Sequence, residues 1–325
     1  MKKLLVLVLI AVLAAGMVFA AGGGQKAGGK PKVAFIVKGY QDTYCYLVGQ
    51  IFQRYAQEKY ASLYDVKMFD GEVNVDTINN LISTATADKF NVIILQQHDP
   101  TAPVPYAKAA TDAGIGFITT VGKINDNGAT VYIDANPEQQ GTLPAQYLVD
   151  KGYMKAGTKV VILRGPDSQF HSDGRTRGFM NVIKKCGATL VDAQTANWRT
   201  SEAQPIVENW LVSNPEIQVI LACNDDMALG AITACQNAGR KDIKIIGVDA
   251  NELGCIALKQ GKLTATVAQD TLGYAHLAAD YAAQMIQGQK PKSVALDSIL
   301  ILNDKVDDIL RTIHGYSDAK ISAIK

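Results

Sequence analysis

The chain has 325 residues, 48% of them hydrophobic, with 32 Lys and Arg set against 31 Asp and Glu. That length can bury a large core, either as one big α/β domain or as two lobes. A charge so close to balance lacks the basic surface that a nucleic-acid partner needs, and the four scattered histidines (His98, His171, His276, His314) and the cysteines show no metal-ligand spacing.

The chain opens with MKKLLVLVLIAVLAAGMVFA, a basic start at Lys2 and Lys3, an apolar run from Leu4 to Leu13 and small residues ending at Ala20. This is the pattern of an export signal over residues 1–20, with cleavage expected after Ala20; an uncleaved anchor is the alternative. No cysteine follows the apolar run before Cys45, so no lipid-anchor site is expected and the product should be periplasmic and soluble. Removing Lys2 and Lys3 leaves 30 basic against 31 acidic residues. Residues 21–31, AGGGQKAGGKP, read as a flexible tether. Five cysteines (Cys45, Cys186, Cys223, Cys235, Cys255) are an odd number, and a chain this long needs no disulfide framework, so reduced core thiols are favoured.

From residue 32 onward short β-branched runs alternate with helical-period segments. The strand candidates PKVAFIVK, DVKMFD, FNVIILQQ, GIGFITTV and ATVYIDA come first. After the polar break DANPEQQG the pattern restarts with TKVVILRG, GATLVDAQ, IQVILACN, DIKIIGVD and LTATVAQD. Such alternation predicts βαβ units and parallel sheets, here two doubly wound lobes of about five strands each. A long helix over roughly 272–287 and the strand-like DSILILND close the reading, which assigns no element after residue 303.

In an open parallel sheet, ligands bind beyond the carboxyl ends of the strands. Asn224, Asp225, Asp226, Asp249, Gln269, Asp42 and Trp198 all fall at or shortly after such ends. Asp225 is expected to cap the helix that starts there, and Asp226 to face solvent or support a hinge. Adjacent carboxylates diverge and make a poor acid/base pair, and no nucleophile elbow or phosphate loop appears, so catalysis is not expected.

The stretches NDDMALGAI (224–232), IIGVDANELGCIALKQGKLTATVAQD (245–270) and DPTAPVPYAKAATDAGI (99–115), in this order, resemble the type I periplasmic sugar-binding proteins of ABC transporters, the ribose and galactose/glucose group. The resemblance spans about Val33 to Asn303. It implies two Rossmann-like lobes joined by a three-segment hinge, with residues 32–134 and 271–296 in one lobe and 135–270 and 297–325 in the other. It also implies a monomer that encloses a monosaccharide, hexose-like pyranoses favoured, and hands it to a membrane permease; the alternatives are a sensor that presents its closed form to a membrane chemoreceptor or kinase, and a non-sugar ligand such as an inositol or nucleoside. No cofactor is implied. A repressor of the related type would need a helix-turn-helix where the export signal stands.

Carried onto this chain, the resemblance gives hydroxyl-binding roles to Asn224, Asp249, Gln269 and Arg175, a first-lobe polar contact to Asp42, and sugar-facing rings to Tyr44 and Trp198. Tyr40, Gln169 and His171 are further candidates. One departure stands out: where the fourth strand of the family ends in a polar pair, this chain has Val121 and Gly122, leaving Thr120, Lys123 or Gln97–His98 to substitute. The loss of a polar pair should change which ligand is bound rather than merely weaken binding. No calcium loop is visible, and DGEVNVD (70–76) reads as a strand exit and helix cap.

Overall fold

The computed structural model describes residues 29–325; the expected export signal and most of the tether lie outside them. The first lobe begins with β1 (Lys32–Val37), buried from Val33 onward as a central parallel strand must be. It leads to α1 (Thr43–Tyr60), whose N-cap Asp42 accepts the Cys45 amide at 2.9 Å. There follow β2 (Asp65–Asp70), α2 (Val75–Ala87), β3 (Val92–Leu95), α3 (Val104–Asp112), β4 (Gly116–Thr120) and β5 (Val131–Ala135). Asn74 caps α2, so the acidic stretch after β2 is a strand exit and helix start.

The chain then crosses to the second lobe. This comprises α4 (Pro137–Asp150), β6 (Lys159–Arg164), α5 (Phe170–Cys186), β7 (Thr189–Thr195), α6 (Thr200–Ser213), β8 (Val219–Ala222), α7 (Asp225–Asn237), β9 (Lys244–Ile246), α8 (Glu252–Lys259) and β10 (Thr266–Ala268). A second crossing delivers α9 (Thr271–Ile286) and β11 (Val294–Leu296) to the first lobe. A third returns the chain through β12 (Ile299–Ile301) to α10 (Val306–Thr312) and α11 (Asp318–Ser322).

The first sheet is parallel throughout, in the order β11-β5-β4-β3-β1-β2, and the second runs β7-β6-β8-β9, also parallel. Chain order reverses between β1 and β3 in one sheet and between β6 and β8 in the other. At those points the loops diverge to opposite faces and leave a crevice. Two apolar clusters cover the faces of the first sheet, one of them built partly from Tyr274, Ala278 and Ala282 of α9, while a single larger cluster fills the second lobe.

The expected fifth strand of the second sheet is not one of its members. Thr266–Ala268 pairs antiparallel with β12 and meets the sheet only through bridges at Ile246–Ala265 and Asp249–Ala268. Three residues of alternating pattern specify a strand but not its partner, and the returning ILI segment supplies the longer ladder. Beyond β12, α10 packs on α8 and α11 on α10: Lys259 of α8 pairs with Asp307 of α10 at 2.6 Å, and between the two last helices the His314 ring lies 3.0 Å from the Ala250 carbonyl. All five thiols are free, and four are buried. Among the described residues no helix is long and apolar enough to cross a membrane.

Candidate functional site between the two sheets

The carboxyl ends of both sheets face one cleft. From the first lobe it is lined by Lys38, Asp42, Tyr44, Cys45, Gln97 and Val121, and from the second by Gln169, Phe170, His171, Arg175, Trp198, Asn224, Asp249 and Gln269. Every residue assigned a direct ligand role from the sequence therefore lines it.

Arg175 is its organising cation. Although it lies on a helix that carries the exposed Arg177, it is 3% exposed, because α5 turns this face inward against α4. Gly141 and Gly178 permit that approach: a Cβ at Gly141 would stand 2.1 Å from the Arg175 carbonyl oxygen, and one at Gly178 would stand 2.3 Å from that of Glu138. The guanidinium donates from Nε to Gln140 Oε1 at 2.8 Å and from Nη1 to the Cys223 carbonyl at 2.7 Å, and it lies 3.4 Å from Asp249 Oδ1. A planar fork can hold all three at once. Its carbon centre is also 5.7 Å from the Trp198 ring, and Gly165 leaves room for that ring, since a Cβ there would be 2.1 Å from the indole.

Asp249 accepts from Gln269 Nε2 at 2.6 Å, and Gln269 Oε1 accepts in turn from Gln140 Nε2 at 3.2 Å. Burial pushes the Asp249 carboxyl up to about 7, against the opposing pull of Arg175. Its backbone is strained as well: Asp249 and Ala250 have φ of 113° and 52°, a left-handed run of two non-glycine residues. Lys38 and Asp42 form a buried ion pair across one turn of the loop. Burial works against both charges, but each holds the other ionised, so the lysine lies above and the aspartate below its ordinary range.

A third pair spans the cleft. His171 Nε2 lies 2.8 Å from Asp134 Oδ2 of β5, and that carboxylate also accepts from the Tyr274 hydroxyl at 2.9 Å and from the Gly122 amide. Burial disfavours the Asp134 charge, yet His171 and these donors hold its carboxyl below the usual range. Two further bonds join the lobes: Gln169 Nε2 donates to the His98 carbonyl at 2.9 Å, and the Thr43 hydroxyl donates to Asp226 at 2.7 Å.

Several expectations need correction. Asn224, not Asp225, caps α7: its backbone is extended and its Oδ1 accepts the Met227 amide at 2.9 Å, while Nδ2 donates to the Trp198 carbonyl. Asp225 is the first helical residue, and its fully buried carboxylate accepts instead from the Asn251 amide at 2.9 Å and the Thr266 hydroxyl at 2.7 Å. Tyr40 does not line the cleft. It is exposed, its ring packs on Tyr46 at 4.7 Å, and it borders a separate groove with Thr43, Leu253 and His314. Gly122 is buried behind the cleft and contacts Asp134 and Gln97. Lys38, Cys45 and Phe170 went unnoticed in the sequence, although Lys38 stands one residue past β1, where the strand-end rule would have placed it.

A two-lobed doubly wound fold with charged, amide and aromatic side chains converging on the crevice between its sheets defines a type I periplasmic binding protein. Residues 33–290 match the family described as the periplasmic binding protein domain, and the chain belongs to that family. It is similar to the D-ribose/D-allose-binding protein of Pseudomonas aeruginosa, with 24% identity over 81% of this chain and 84% of that one. It is also similar to a D-apiose import binding protein of Actinobacillus succinogenes, with 32% identity over 69% and 73%. A solved ABC transporter periplasmic solute binding protein from A. succinogenes 130z, with bound D-allose, superposes with a TM-score of 0.79 at 27% identity, covering 86% of this chain and all of that one. The relatives are thus sugar-binding proteins of ABC importers.

Proposed function

We propose that this chain is exported through its N-terminal signal and works in the periplasm as a monomer. There it captures one uncharged monosaccharide between its lobes, a hexose-like pyranose being favoured, and delivers it to an ABC transporter permease. The observation that carries this reading is the pairing of the cleft's charges. Lys38 lies against Asp42 and Arg175 against Asp249, so each of these cations lining the cleft already faces a carboxyl group, while the carboxyl and amide groups suit hydroxyls that both donate and accept. Trp198, Phe170 and Tyr44 bring rings to the same cavity, as the C–H surface of a sugar requires. The chain performs no chemistry on its ligand in this reading, and a chemoreceptor that senses the closed form is a second partner.

The apolar clusters support a first lobe of residues 32–134 with 271–296 and a second of 135–270 with 297–325, except that β5 carries the first boundary on to Ala135. Closure follows because the closed form alone touches a ligand from both sides. The test is a thermal-shift screen of the chain from Ala21 against D-allose, D-ribose, D-apiose and myo-inositol, with D-glucuronate as a charged control. A neutral ligand at about a hundred times its dissociation constant should stabilise the fold by roughly 2.7 kcal/mol. A shift with the acid and none with the neutral compounds would overturn the reading.

A further inference from the structure

The polar contact that Val121 and Gly122 cannot supply has three substitutes in the sequence, and their positions separate them. Thr120 is fully buried and lies outside the cleft lining. Lys123 is exposed, with Nζ 5.2 Å from the Phe170 ring, in an adjoining groove. His98 is half-buried and already receives Gln169 at its carbonyl and at Nδ1.

Gln97 differs from all of them. It lines the cleft and is 6% exposed. Its Nε2 donates to the Lys123 carbonyl at 3.4 Å; only the nitrogen can donate there, so the orientation of the amide is fixed. The oxygen at its other corner is shut off from solvent and accepts a hydrogen bond from none of the described residues. Gly122 is what makes room for this amide: a Cβ there would stand 2.6 Å from Gln97 Nε2, and the backbone at Gly122 has a φ of 121°. Replacing a side chain by hydrogen at position 122 and filling the space with a glutamine from the loop after β3 are two halves of one arrangement.

Resting on the reading of this cleft as the sugar site, we propose that Gln97 is a specificity-determining ligand contact, its Oε1 accepting a hydrogen bond from one hydroxyl of the bound carbohydrate. A buried acceptor left without a donor disfavours any ligand lacking that hydroxyl, so Gln97 selects as well as binds.

The test is isothermal titration of wild type, Gln97→Leu, Gln97→Glu, Gly122→Ser and Asp249→Asn with D-allose, D-ribose, D-apiose and myo-inositol, then with monodeoxy analogues of whichever binds. Gln97→Leu should weaken binding by about tenfold or more without lowering the unliganded melting temperature, and Gln97→Glu, which loses the donor to the Lys123 carbonyl and buries an unpaired carboxylate, should weaken it as well. Gly122→Ser, by displacing the amide, should weaken binding in the same way. One deoxy analogue should be discriminated by wild type and not by Gln97→Leu. If Gln97→Leu binds within about twofold of wild type while Asp249→Asn loses affinity, the site stands and the role of Gln97 is overturned. Weakened binding with unchanged discrimination among all the deoxy analogues would overturn it too, as a merely structural effect. If wild type binds none of the four, the sugar reading itself falls, and this assignment falls with it.

Discussion

At the scale of single residues, the cleft holds more buried charge than a sugar site needs for contact alone, and Asp249 shows the cost. Its carboxyl titrates near 7 in the fold against 3.8 unfolded, because burial, with Asp42 and Asp226 nearby, outweighs Arg175. Between those values the folded chain holds a proton that the unfolded chain has released, so raising the pH through this window favours unfolding. Asp249→Asn removes the titration. Wild type should therefore lose stability relative to the variant as pH rises from about 4 to about 7, at up to about 1.4 kcal/mol per unit, and urea unfolding across that range measures it. Parallel stability curves would mean that the carboxylate carries no such penalty. The sequence could place Asp249 at a strand end, but not its strained backbone or its tie to Gln269, which depend on the loop meeting β10 and Thr266.

At the scale of elements, the start of α7 shows what a sequence pattern leaves open. Asn224, Asp225 and Asp226 are all good caps, and only the phase of the backbone decides that the extended residue is Asn224. With that settled, Asp225 turns inward and becomes a knot among β8, α8 and β10. It is so tightly enclosed that a Cβ at Gly247 or Gly254 would lie 2.1 Å or 2.3 Å from its carboxylate. Burial and the Asp249 charge raise this carboxyl well above its ordinary range. Thr266→Val keeps the shape of its partner but removes a hydroxyl at 2.7 Å, and should cost about 1–3 kcal/mol in denaturant unfolding. No loss would mean that the Asn251 amide alone satisfies Asp225. The periodic segments were legible because each buries a continuous apolar face. β10 was legible as a strand but its partner was not, and the helices after residue 303, only seven and five residues long, were not read at all.

At the scale of the whole molecule, the lobes are held together by side chains that also line the cleft or stand behind it. His171–Asp134, Gln169–His98 and Thr43–Asp226 each join one lobe to the other. With the hinge motion proposed above, such bonds would favour the closed form before any ligand adds its own contribution, and a ligand that needs that form would bind more tightly the more it is populated. His171→Ala should enlarge the unliganded radius of gyration in solution scattering and weaken sugar binding by roughly tenfold. An unchanged scattering profile would show that the remaining bonds suffice. The resemblance read from NDDMALGAI and its companions conveyed the two-lobed plan, but not these latches, since Asp134 looked like one end of a linker.

The three crossings of the chain also bear on how the protein is made. The first sheet receives its covering helix from residues 271–286 and its edge strand from 294–296, so neither lobe corresponds to an uninterrupted stretch of polypeptide. Most of the chain must leave the ribosome before α9 can cover the apolar face formed by Val33, Phe35, Val92 and Ile118. Two domains laid end to end would fold one after the other during synthesis. This topology instead defers completion of both lobes to the last tenth of the sequence, where β11 closes the edge of the first sheet and β12 supplies the partner of β10.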